Sequence, residues 1–195
     1  QVIKKINESD TSANCSLSYS TNGSVKLRPE ILDTFDKFRS VNISLSIDAI
    51  GKAFDYIRTL GKWDIIVKNV ETLQQYKKTY KNLSVSAHPT ISALNVLYID
   101  ELFNWFDLQQ IPFSLVFCTH LEEYSMEIFN EEQKKQIIDQ LEQNPTDIKK
   151  QIIKHIQSTK FIEESLTTFK KTIKFTEEYR KLSLKEYLPI LHKLI

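Results

Sequence analysis

Serines recur at alternate positions in several short stretches of this chain, and two of those stretches end on an ionisable group. Ser44 and Ser46 lead to Asp48, Ser84 and Ser86 lead to His88, and a lone Arg58 stands ten residues past Asp48. A strand that only filled a core would not need hydroxyls in one register, because each buried hydroxyl requires a hydrogen-bond partner. A face of small polar side chains fits a polar ligand, with Asp48 and Arg58 at its border.

Other chemistries find less support. Cys15 and Cys118 are far apart and lack a CxxC partner, so they cannot form a four-thiolate site, and a reduced cytoplasmic setting is the simplest expectation. The four histidines, His88, His120, His155 and His192, show no metal-ligand spacing. There is no GxGxxG and no Walker loop. A net charge of +1 argues against nucleic-acid binding by charge alone. The charge is uneven, however: residues 149–195 carry +6 and the rest −5. Solvated helix faces account for such a pattern, and a patch for an acidic peptide or a nucleic acid is the competing reading. No apolar run is long enough to span a membrane, and no signal peptide is visible.

The elements that would position these groups follow from periodicity. Residues 16–22, 43–48, 83–88 and 113–118 alternate with period two and read as strands. Leu17, Tyr19 and Thr21 oppose Ser16, Ser18, Ser20 and Asn22; Ile43, Leu45 and Ile47 oppose Ser44, Ser46 and Asp48. Between them lie helical stripes: Ile31, Leu32, Phe35 and Phe38 behind Pro29; Trp63, Ile66, Val67, Val70 and Leu73; Leu94, Leu97, Ile99, Leu102, Phe103 and Phe106. Residues 1–8 look like the tail of a helix that began upstream. Strand and helix in alternation imply right-handed crossovers and a parallel sheet, so the fold class is α/β. One apolar and one hydroxyl-lined face predict an open or partial barrel around a polar ligand; an exposed antiparallel face is the alternative. Ligands in such folds gather at the strands' C-terminal ends. Beyond Cys118 the chain becomes helical, with a capping box at Asn130 and Gln133 and a cap at Thr146. We divide it at 1–120, the α/β part, and 121–195, a helical extension packed on it.

The order of Thr21-Asn22-Gly23-Ser24, Ser46-Ile47-Asp48, Tyr56-Ile57-Arg58, Trp63…Val67…Asn69 and Thr90-Ile91-Ser92…Asn95 resembles radical S-adenosylmethionine (SAM) proteins. The likeness is to the twitch-domain-containing group, and it extends to the closing stretch, where Arg180 precedes a proline-containing terminal helix. The resemblance spans most of the chain. It implies a six-stranded partial (β/α) barrel of which this chain supplies strands three to six. It also implies a CxxxCxxC loop before Gln1, holding a 4Fe–4S cluster whose ligands are not in this chain. Carried over residue by residue, Ser46 would hydrogen-bond the SAM carboxylate or ribose, and Arg58 would pair with the carboxylate. Asp48 would fix a ribose hydroxyl or the loop, Thr21 and Asn22 would approach the ribose, and Thr90, Ser92 and Asn95 would line the adenosyl pocket. Each has a plainer role open to it as a turn, surface or capping residue, and Asn69 could equally pin a helix to the sheet.

The function so implied is that of the C-terminal part of an enzyme that generates a 5′-deoxyadenosyl radical for hydrogen abstraction, with a peptide or protein as the suspected substrate. The isolated chain would be inactive, and an open barrel edge at the first strand predicts association. The alternative is a non-catalytic or split relative of the same fold acting as a binding or partner module. A sugar-nucleotide transferase ranks last, for want of a DxD motif.

Overall fold

The computed structural model describes residues 5–6 and 11–195. The helix expected over 1–8 therefore falls largely outside the described residues. The α/β reading holds. Strands β1 (Ser16–Thr21), β2 (Ser40–Leu45) and β3 (Leu83–Ala87) form a parallel sheet in chain order. A parallel two-strand pair follows, β4 (Thr90–Ile91) with β5 (Val116–Phe117), and a bridge between Ala87 and Phe113 joins it to β3. The described strands do not close into a barrel.

The connections carry helices, as parallel pairing demands. The stripe behind Pro29 gives only a single turn, α1 (Pro29–Leu32), and a 3-10 turn over Phe35–Lys37. The Thr34 hydroxyl donates to the Ile31 carbonyl at 2.6 Å, ending the helix early. Helix α2 (Gly51–Ile57) buries Ala53, Phe54 and Tyr56, a stretch in which periodicity predicts no helix. Helix α3 (Trp63–Thr79) follows the expected stripe, and the Trp63 amide is capped by the Asp55 carboxylate at 2.7 Å. Helix α4 (Ile99–Leu108) buries Ile99, Leu102, Phe103 and Phe106.

The helical region comprises α5 (Glu131–Glu142), α6 (Asp147–Ser158), α7 (Glu163–Arg180), α8 (Leu184–Tyr187) and α9 (Pro189–Leu194). The capping box is present: Asn130 Oδ1 accepts from the Gln133 amide and Gln133 Oε1 from the Asn130 amide, both at 2.9 Å. Thr146 Oγ1 caps α6 at the Lys149 amide. One continuous core runs from Leu32 through Ile43, Val85 and Phe106 to Phe169 and Leu191, so sheet and tail are packed together. Truncating a fully buried phenylalanine such as Phe106 or Phe169 to alanine costs about 3–5 kcal/mol in cores of this kind.

The hydroxyl face forms registered rows across the sheet. Ser18, Asn42 and Ser84 are level with one another, as are Ser20, Ser44 and Ser86. Ser18, Ser20, Asn42 and Ser84 are exposed, while Ser44 is buried. The opposite face is covered unevenly. Ile43, Leu45, Val85 and Ala87 are buried, but Tyr19 on β1 is 53% exposed, so the first strand lacks the apolar cover its pattern predicts.

Candidate functional site

Asp48 does not extend the β2 register. The strand ends at Leu45, and Asp48 stands in the loop before α2 with 6% of its surface exposed. Arg58 occupies the C-terminal cap of α2, which brings the guanidinium back over that loop. Its Nη2 lies 2.5 Å from Asp48 Oδ2. The other carboxylate oxygen accepts from the Thr90 amide at 2.8 Å. Burial pushes the Asp48 carboxyl above its ordinary value, against the opposing pull of the Arg58 charge and the Thr90 amide.

Asn95, wholly buried, organises the backbone around this pair. Its Nδ2 donates to the carbonyls of Asp48 at 2.7 Å and Thr90 at 2.8 Å, while Oδ1 accepts from the Ser92 amide at 2.8 Å. One side chain thus ties together the loop after β2 and strand β4.

The result is a cavity of about 400 Å³ at the C-terminal ends of β2, β4 and β5. That is the end of parallel strands where α/β folds bind ligands, and the volume lies within the range of small-molecule sites. Asp48, Arg58, Thr90 and Ser92 are among the residues that line it. Arg58 Nε is buried and has no acceptor among the described residues. Cys118 also faces the cavity, but burial raises its thiol pKa, which keeps it protonated and a poor nucleophile.

Not every residue marked by the sequence reaches this cavity. Asp48, Arg58, Thr90 and Ser92 line it, and Asn95 stands behind as a backbone brace. Ser46 is not among the lining residues; its amide donates to the Thr21 carbonyl at 2.8 Å, just past the ends of β1 and β2. Thr21 and Asn22 shape the turn after β1, with Thr21 Oγ1 accepting from the Gly23 amide and Asn22 Oδ1 from the Ser24 amide. Thr21 lies on the apolar side of the sheet, in a different cavity of about 330 Å³ beneath β1. Gly23 adopts φ +67°, the left-handed region that favours glycine, and a Cβ there would press on the tip of Ile66 at 3.0 Å. Asn69 takes the structural option: it donates to the Gly23 and Val25 carbonyls and accepts from the Leu27 amide, holding that loop onto α3.

Several cavity residues were not marked as site residues, Tyr56 and Arg180 among them. Tyr56 lines the cavity from α2 and Arg180 from the end of α7. Arg180 donates to the Tyr56 carbonyl at 2.5 Å and the Asp55 carbonyl at 2.7 Å. The one signal for it in the sequence was its place ahead of the proline-containing terminal helix. No protein-family model matches this chain, and no curated protein matches it.

Proposed function

We propose that this chain is the ligand-binding, C-terminal part of a radical SAM enzyme, its parallel strands forming part of a (β/α) barrel. The observation that carries the reading is the Arg58 guanidinium, held by Asp48 with its Nε unpartnered inside a cavity at the strands' C-terminal ends. SAM offers a carboxylate for that guanidinium and hydroxyl-bearing ribose for Thr90 and Ser92. Asp48 is engaged by Arg58 and the Thr90 amide, so its part is to hold the arginine in place rather than to touch the ribose. The hydroxyl rows of the sheet extend the polar surface available to substrate.

When bound beside a reduced iron–sulfur cluster, SAM supplies one-electron chemistry. This chain's described residues do not fit the cluster: no group of three His, Cys, Asp or Glu among them could hold a metal ion. Its contribution is to bind and orient. Arg58 provides a charge-assisted contact of about 1.5–3 kcal/mol, which corresponds to roughly a 10–150-fold effect on affinity. The substrate in this reading is a peptide or protein. A cytoplasmic location accords with two free cysteines and with the finding that no helix among the described residues is long and apolar enough to cross a membrane.

Calorimetric titration with SAM tests the proposal, comparing the wild-type chain with Arg58→Lys, Thr90→Val and Ser46→Ala. Lysine keeps the charge but lacks the fork of donors, so Arg58→Lys is expected to weaken binding at least tenfold. Unaltered affinity in both Arg58→Lys and Thr90→Val would overturn the site. No SAM binding by the folded wild-type chain would replace this reading with that of a non-catalytic binding module.

A further inference from the structure

The cavity has a second polar wall that the SAM reading leaves unused. Tyr56 is 2% exposed, lines the cavity, and its hydroxyl has no hydrogen-bond partner among the described residues. Burial raises its pKa, so the phenol keeps its proton and remains a donor. Arg180 stands beside it, its guanidinium carbon 5.9 Å from the Tyr56 ring centroid. That guanidinium donates two hydrogen bonds, both to neutral backbone carbonyls, and forms no ion pair among the described residues. The neighbouring acids are occupied: Glu177 Oε1 accepts from the Leu184 amide, and Asp48 is paired with Arg58. This wall therefore presents a buried donor and a cation that forms no ion pair among the described residues. The nearby Glu177 charge is felt at Tyr56, where it adds to burial in raising the phenol's pKa.

We propose that Tyr56 and Arg180 form a carboxylate subsite, which takes an acidic group of the substrate at the α7 side of the cavity. The inference rests on the reading of this cavity as a ligand site. It adds the substrate's chemistry: an Asp or Glu side chain, or an equivalent small carboxylate. Tyr56 Oη donates to one carboxylate oxygen, and the remaining guanidinium N–H groups of Arg180 face the other.

The test uses N-acetylglutamate and N-acetylglutamine as probes, titrated into the full chain and followed by calorimetry and NMR, with SAM titrated separately. The acid is expected to bind at least tenfold tighter than the amide, and Tyr56→Phe to weaken the acid about tenfold while SAM affinity stays in place. Phenylalanine preserves the ring packing, so this variant keeps the fold, and Arg180→Lys provides a second check. Equal affinity for acid and amide, no binding of the acid, or an acid affinity unchanged in Tyr56→Phe would each overturn the subsite. Binding of SAM with no carboxylate preference sinks the subsite and leaves the cofactor reading standing. Carboxylate binding without SAM binding does the reverse.

Discussion

Asn95 donates its side-chain amide to the backbone carbonyl of Asp48, forty-seven residues earlier in the chain, at 2.7 Å. This bond, with those to Thr90 and Ser92, fixes where the Asp48 loop sits relative to β4, and so where Arg58 can reach. Asn95→Ala leaves two carbonyls and one amide without their side-chain partner in a buried position. The expected cost is about 3 kcal/mol, given that each unsatisfied buried group costs about 1–3 kcal/mol and the site can partly relax. Asn95→Asp should be at least as damaging, because its carboxylate oxygen would face two carbonyls. Urea denaturation of both variants checks this.

The Asp48–Arg58 pair predicts an asymmetric mutant cycle. Arg58→Ala strands a buried carboxylate and should cost about 3 kcal/mol, the lower end for broken buried pairs because the arginine is partly exposed. Asp48→Asn in the Arg58→Ala background should recover part of that loss, since the stranded charge is gone. Chemical denaturation of the two single variants and the double variant measures the coupling. Strictly additive effects would mean that the pair does not interact in solution.

His155 stacks on Phe117 with ring centroids 4.1 Å apart, and burial lowers its pKa from the ordinary 6.5. The unfolded chain therefore takes up this proton first as pH falls. The stabilisation from neutral His155 is complete above about pH 6.5 and is lost as pH drops toward the lower folded value. Melting temperatures measured from pH 8 to pH 5 should fall more steeply for wild type than for His155→Phe, which keeps an aromatic ring without a titrating group.

Strand β1 pairs only with β2, so one of its edges is open among the described residues. Hydrogen–deuterium exchange should show rapid exchange at alternate amides of Ser16–Thr21, those turned away from β2, and slower exchange across Ser40–Leu45. Uniform protection along β1 in a monomer would argue against an open edge. Protection that appears only at high protein concentration would identify association through it.

The periodicity was enough to place β1 and β3 and to imply parallel pairing, because a two-residue repeat and a helix-length connection are local properties of the chain. It set β2 three residues late, stretched β5 and missed β4. The caps at Asn130 and Thr146 were equally legible, since a side chain reaching three residues ahead leaves its mark in adjacent sequence. Periodicity misjudged α1, where the apolar stripe outlasts the helix, and β1, whose apolar face is only partly covered.

The site divided along the same line. The alternation by itself put Asp48 and Thr90 at strand ends; Arg58 stood out only as a lone cation ten residues on, and Ser92 only through the family resemblance. Only the tertiary structure decided that Asp48 turns out of its strand to meet Arg58, that Ser46 stays outside the cavity, and that Arg180 returns from 124 residues away to Tyr56. Those outcomes depend on where a strand stops and on hydrogen bonds between distant segments. Such bonds are chosen by the packing of the whole core and impose no spacing on the residues that make them.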